Sequence, residues 1–189
     1  MKNKKSIIVS LILLVLVSAV YRILPRPSTL YGFAPQIAMT LFGGAIFVKD
    51  KKWAFALPII SMFIGDLLFQ FLYSKGLSIM PGFYEGQWQN YLLFAGLTVI
   101  GFFIKKINVL NVLIGALASP TVYFLVSNFI VWAGGGGLNR PRTFAGLMQC
   151  YNDGLPFYPG SVIGTLFFST VLFGGYYLVK KNSVQHQAA

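Results

Sequence analysis

Six apolar stretches govern what this chain can fold into. They run over residues 6–24, 33–48, 53–73, 91–104, 109–133 and 161–179. A helix needs about 20 mostly apolar residues to cross a bilayer, and by that measure the fourth is short. Hydrophobic residues make up 56% of the 189 and charged residues only 10%. A soluble domain carries about 25% charged residues, so this chain has too little polar surface to cover a globule in water. Soluble cytosolic enzymes, disordered tails and coiled coils are excluded as classes. The length fits one domain. The expectation is therefore an all-α integral membrane protein, with residues 1–189 forming a single six-helix transmembrane domain.

The net charge of +11 resembles that of a nucleic-acid binder until the lysines are located. They lie between the apolar stretches, which points to the bilayer and away from nucleic acid. Lys2, Lys4, Lys5, Lys49, Lys51, Lys52, Lys105, Lys106, Lys180 and Lys181 all fall on one side of a six-span topology. Arg22, Arg26, Lys75, Arg140 and Arg142 fall on the other. The positive-inside rule then puts both termini in the cytoplasm, with the chain multi-pass in the membrane. Lys2, Lys4 and Lys5, the apolar stretch 7–17 and Val17-Ser18-Ala19 also fit a signal peptide. Its removal would leave the remaining topology unchanged.

Inner connections are a few residues long, whereas the outer ones cover residues 25–32, 74–90 and 134–160. Long loops in compact domains are commonly functional. These carry Tyr31, Met80, Phe83, Tyr84, Trp88, Phe144, Tyr151, Phe157 and Tyr158, side chains suited to packing over something. The outer face is read as the working face.

Candidate binding residues follow from polar groups at membrane depth and from these loops. Asp66 lies within the third stretch, where a carboxylate is costly and needs a partner. It serves either as a ligand or proton group, or as a lock between helices through an outer arginine or Asn128. Asn128 and Trp132 share a helix face by their spacing of four. They serve as helix glue and interfacial belt, or as pocket lining. The four arginines suit carboxylate or phosphate, and equally suit lipid headgroups. Cys150 reads as a small buried hydrophobe or a ligand, and Asp153 as a turn former or a partner of Arg140 or Arg142. The substrate-binding set is thus Arg22, Arg26, Asp66, Trp88, Asn128, Trp132, Arg140, Arg142, Cys150, Tyr151 and Asp153. The four glycines 134–137 read as a hinge or lid root. Leu41-Phe42-Gly43-Gly44 and Leu172-Phe173-Gly174-Gly175 read as close helix contacts.

Several chemistries lack their residues. The one histidine, His186, lies in the C-terminal tail, away from any Ser–His triad, haem or zinc pair. One cysteine makes neither an internal disulfide nor a cysteine zinc cluster. No nucleotide motif is present, so ATP-driven work falls to a partner chain. No catalytic residue, metal or cofactor is expected, and the chain reads as a non-enzyme.

The order of Arg22-Ile23-Leu24-Pro25, Ala34-Pro35-Gln36-Ile37-Ala38, Leu41-Phe42-Gly43-Gly44-Ala45, Pro58 with Asp66, Asn128-Phe129-Ile130-Val131-Trp132, Gly146-Leu147 with Cys150-Tyr151, Pro156-Phe157 and Leu172-Phe173-Gly174 resembles a bacterial family of small six-span membrane proteins described as transport proteins. At fold level the plan is similar to the S components of energy-coupling-factor (ECF) vitamin transporters, an analogy of size, topology and loop asymmetry. The resemblance implies capture of a vitamin under the outer loops and coupling to an ATP-driven module. Many S components dock through an alanine-x-x-x-alanine face on helix one. Here that helix is rich in Ile, Leu and Val, with Ser6, Ser10, Ser18 and Ala19 as its small residues.

The expectation is a transport protein that captures a small organic nutrient bearing an anionic or amide group. The alternatives are a membrane-embedded scaffold or assembly subunit, and an enzyme acting on a lipid-linked substrate through Asp66, Cys150 or Asp153.

Overall fold

The structure is a computed structural model and describes residues 2–23, 32–79 and 81–185. Among the described residues it contains seven α-helices and one short 3-10 turn. The helices are α1 (Lys2–Ile23), α2 (Gln36–Ile46), α3 (Lys51–Ser74), α4 (Gln87–Phe102), α5 (Val109–Gly134), α6 (Phe144–Gly154) and α7 (Tyr158–Gln185), with the turn at Leu155–Phe157. All six apolar stretches coincide with helices, α1, α2, α3, α4, α5 and α7, their ends differing by up to six residues. The fourth helix begins at Gln87, four residues before its stretch.

Three helical segments are long and apolar enough to cross a membrane: Lys51–Ser74, Val109–Gly134 and the continuous run Phe144–Lys181. The 24 and 26 residues of α3 and α5 make rods of about 36 and 39 Å, against a hydrocarbon core of about 30 Å. The 11 residues of α2 reach only about 16 Å.

α2 lies at the centre. Every residue from Ile37 to Ala45 is buried, and it packs on α3, α4, α5 and α7. A helix that is apolar all round is stable only when enclosed on all sides. Its closest neighbour is α4, and glycine explains the approach. A Cβ on Gly44 would lie 2.2 Å from the Thr98 carbonyl oxygen, and one on Gly101 would lie 2.5 Å from that of Leu41. Backbones this close pack by dispersion over a broad surface. Gly43 leaves room for the Pro58 ring of α3 in the same way. The matching pair on α7 does not act alike: Gly174 has open space beside it, and Gly175 is in ordinary contact with Leu13.

The sides of the molecule invert the soluble pattern. α5 buries Gly115, Ala116, Ser119 and Pro120 while exposing Leu113, Ile114, Leu117, Leu125 and Phe129. α1 buries Ser10, Leu14, Val17, Ser18 and Tyr21, and turns Ile8, Ile12, Leu16 and Val20 outward. Small residues inward and large apolar residues outward suit helices that meet lipid on their outer faces. Val17-Ser18-Ala19 lies inside α1, where the Ser18 hydroxyl donates to Met39 Sδ at 3.3 Å.

The starts of α2, α4 and α7 and the ends of α3 and α5 meet at one end, so the short connections 47–50 and 103–108 lie at the other with Lys49, Lys51, Lys52, Lys105 and Lys106. Among the described residues, the longer connections after α3 and α5 lie at the first end. There the expected loop 134–160 is largely helical. Thr143 caps α6 by accepting from the Gly146 N–H at 3.2 Å, and the turn at 155–157 carries the chain into α7. The glycine run ends α5: Gly135 adopts φ +73°, the left-handed conformation of a helix C-cap, and its N–H bonds Trp132 O. That local role accounts for Gly135 without a hinge.

Candidate functional site: a cavity at the loop end

A cavity of about 830 Å³ opens at the long-loop end, between α3, α4, α5, α6 and the first turns of α2 and α7. This is the volume range of small-molecule sites. Its floor includes Gln36, Ile37 and Met62, and its walls include Phe69, Phe94, Tyr123, Phe124 and Tyr158. The rings brace one another. Phe94 and Tyr123 stack with centroids 5.3 Å apart, joining α4 to α5. Phe124 lies 5.1 Å from Tyr158, and the Tyr158 hydroxyl shares a 2.8 Å hydrogen bond with that of Thr121.

Asp66 lines this cavity, half-buried on the C-terminal half of α3. The Tyr91 hydroxyl and the Gln87 side-chain amide of α4 both donate to its Oδ2, the latter at 2.7 Å. Gln87 Nε2 also donates to the Gly82 carbonyl at 3.1 Å, and the Gly82 N–H donates to Gln70 Oε1 at 3.1 Å. A Cβ on Gly82 would lie 2.0 Å from the Asp66 carbonyl oxygen, so only glycine lets the 75–86 loop lie this close to α3. One carboxylate thus ties helix, loop and helix together while lining the cavity. Charge-assisted bonds of this kind are the stronger class.

Asn128, Cys150 and Asp153 also line the cavity. The Asn128 amide donates to the Phe124 carbonyl at 2.8 Å. Cys150, a free and buried thiol, lies 3.4 Å from the Asn128 carbonyl oxygen. Asp153 receives a two-pronged bond from Arg140, Nε to Oδ2 at 2.8 Å and a terminal nitrogen to Oδ1 at 2.9 Å. The Arg140 hydrogen bond holds the Asp153 carboxyl below its ordinary range, and Asp153 raises the already high value of the guanidinium. The pair staples the 135–143 loop to α6.

The remaining expected site residues lie elsewhere. Trp88 is exposed and borders an apolar groove between α4 and α5 on the side of the molecule. Trp132 donates from Nε1 to the Pro141 carbonyl at 2.9 Å, which holds the loop. Arg142 is exposed near Gly135. Tyr151 donates to the Leu125 carbonyl at 3.1 Å. None of these four, nor Arg140, is among the lining residues described above. Arg26 and the side chain of Arg22 lie outside the described residues, as do Tyr31 and Met80.

Lining residues that the sequence does not single out as binding candidates are Gln36, Glu85, Gln87, Tyr91, Tyr123 and Phe124, while Tyr84 is expected only as a packing residue of the outer loops. Gln87 and Tyr91 are four apart, so one face of α4 meets Asp66. The apolar stretch that begins at Tyr91 leaves Gln87 outside it, so hydropathy does not pair the two. Gln36 lines the floor, and its Oε1 is buried without a hydrogen-bond partner. Among the described residues, no three His, Cys, Asp or Glu side chains gather as a metal site.

Comparison with known proteins adds the family. No curated protein and no solved structure shows detectable similarity to this chain. A model of the family of unknown function DUF6580 matches residues 2–187, nearly the whole length, and the chain belongs to that family.

Proposed function

We propose that this protein captures a small organic nutrient in the cavity at its loop end and serves its uptake across the bacterial inner membrane. The observation that carries the reading is the cavity of about 830 Å³, with aromatic walls and a few converging polar groups. That combination is the usual form of a small-molecule site. In this reading the chain crosses the bilayer six times through α1, α2, α3, α4, α5 and α7. Both termini and the lysine-bearing connections face the cytoplasm, as the distribution of positive charge favours. The cavity then opens outward. α2 and α4 are too short to span alone and cross within the bundle, where their neighbours replace lipid.

An ATP-driven partner module, which the sequence resemblance to S components implies, is part of the proposal. The outward stripe of Ile8, Ile12, Leu16 and Val20 on α1 is a large-residue surface, unlike the small-residue docking face of many S components. A solitary carrier is the variant this surface favours.

Native mass spectrometry of the detergent-purified protein tests the capture reading. The expected result is a near-stoichiometric small-molecule adduct that is lost in Ser127→Trp, since Ser127 lines the cavity and the indole would occupy it. A bare wild-type mass, together with no binding of any small-molecule probe, would overturn it.

A further inference from the structure

A second hollow adjoins the cavity. It is a groove of about 560 Å³ on the flank of the molecule, between α4 and α5. Leu92 and Leu97 of α4 face Val122 and Val126 of α5 across it, and among its described lining residues none is charged. Gln89 and Leu93 of α4 and Ile130 of α5 line both the groove and the cavity. Two neighbouring helices are separated by side chains alone, so a single layer of side chains stands between the two spaces. Leu93 and Ile130 are half-buried there, and a change of rotamer at either would join cavity to groove.

Two further features fit the groove to a hydrocarbon chain. The first is length. Its α4 side runs from Trp88 to Leu97, a rise of about 14 Å, close to half of a hydrocarbon core of about 30 Å. In the proposed topology the groove therefore spans the outer leaflet. Trp88, 63% exposed at its loop end, takes the interfacial level where tryptophan is enriched. The second feature is Gly96, which lines the groove and would meet nothing within 4 Å if it carried a Cβ. Glycine costs a helix interior up to about 1 kcal/mol. At Gly44 and Gly101 a neighbouring backbone requires it, whereas at Gly96 its effect is to leave the groove open.

We infer that the ligand of the cavity is amphipathic, with a polar head held in the cavity and one hydrocarbon chain, about a leaflet long, lying in the groove. Such a ligand enters sideways from the bilayer, between α4 and α5. The inference rests on the capture reading and names its substrate class. Continuity between the two spaces sets this occupant apart from an ordinary bilayer lipid, which would fill the groove without regard to the cavity.

The test places the purified full chain in phosphatidylcholine nanodiscs with palmitic acid, hexadecanol or hexadecylamine, each carrying a diazirine near the chain end. After illumination the label is mapped by peptide mass spectrometry. For at least one head group, saturable labelling is expected in residues 88–97 and 122–130. It should fall at least about tenfold in Gly96→Phe, whose ring would cover the preceding turn of α4 and so the groove beside Leu92 and Leu93. It should fall as far in Ser127→Trp, which fills the cavity and displaces the head. Labelling that does not saturate, or that ignores Ser127→Trp, would give the groove to bilayer lipid and overturn the inference. Saturable labelling lost in Ser127→Trp but kept in Gly96→Phe would place the chain elsewhere and overturn it too, with capture intact. If no probe labels, the molecule that co-purifies with the protein decides. An amphiphile lost in both variants supports the inference; a molecule without a chain, lost in Ser127→Trp alone, overturns it and leaves capture standing. No label and no co-purified molecule would remove the capture reading, and this inference with it. Should Gly96→Phe fail to fold, Val126→Trp obstructs the groove from the facing helix, and its outcomes are read in the same way.

Discussion

Two glycines on α4, five residues apart, should respond in opposite directions to the same substitution. Alanine is better than glycine in a helix interior by up to about 1 kcal/mol, and less in the last turn, where Gly101 lies. At Gly96 an added methyl meets nothing within 4 Å, so Gly96→Ala should be neutral or stabilising by up to about 1 kcal/mol. At Gly101 the methyl carbon would lie 2.5 Å from Leu41 O, 2.7 Å from Ala45 N and 2.8 Å from Gly44 Cα. All three are backbone atoms of the central helix, so no side chain can swing aside. α4 would have to retreat by about 1 Å, a gap that forfeits roughly a quarter to a half of each dispersion contact across the interface. Overpacking in a tight core costs about 1–3 kcal/mol. The two variants should therefore differ by about 1–3 kcal/mol, with Gly101→Ala the less stable. Both can be unfolded in mixed micelles by titration with a denaturing detergent and followed by circular dichroism. Equal shifts in the two variants, or a stabilised Gly101→Ala, would refute the packing argument.

Other expectations concern the cavity and its rim. Tyr91→Phe removes one donor from Asp66 and should cost about 1–2 kcal/mol of stability; an effect below about 0.5 kcal/mol in the same titration would show that the Tyr91 hydroxyl is not needed to hold the carboxylate. Arg140→Ala should raise hydrogen–deuterium exchange in residues 135–143 and 150–153, and an unchanged exchange pattern would deny the staple. Because Arg140 lowers the folded-state value of Asp153, the pair's contribution is present above the ordinary carboxylate range. It is lost as pH falls through the lowered value, so loop exchange should rise only at strongly acidic pH. Cys150, 6% exposed, should react with a maleimide far more slowly in the folded protein than after detergent denaturation. Equal rates would place the thiol outside the buried wall.

What was legible before the structure divides along physical lines. Hydropathy marks a helix wherever the segment itself must be apolar, so α1, α2, α3, α4, α5 and α7 stand out in the sequence. Asp66 stood out for the same reason, as a charge where charge is costly. Its partners did not, because which helix faces which depends on packing of the whole bundle. Gln87 and Tyr91 are ordinary residues until α4 is laid beside α3. α6 was hidden inside a polar loop, marked only by the capping side chain of Thr143. The two glycine pairs show the limit most clearly. Their local sequence is the same, yet only the pair on α2 meets another backbone, since none lies within 4 Å of a methyl placed at Gly174 or Gly175. Trp88 was drawn toward the site by its loop and lies instead on the flank, one helical face away from Gln87.

The enclosure of α2 bears on how the protein is made. This segment emerges from the ribosome early, yet the helices that surround it include α4, α5 and α7, the last of which ends the bundle. At about 16 Å it is too short to be held across a bilayer by its own hydrophobicity. In the proposed topology it would wait during synthesis, in the company of α1 and α3 or of the insertion machinery, until its remaining neighbours arrive. A nascent chain halted before α7 would carry its future centre uncovered, in a form suited to recognition by membrane proteases. The helix that does most to organise the finished bundle is thus the last to be fully housed.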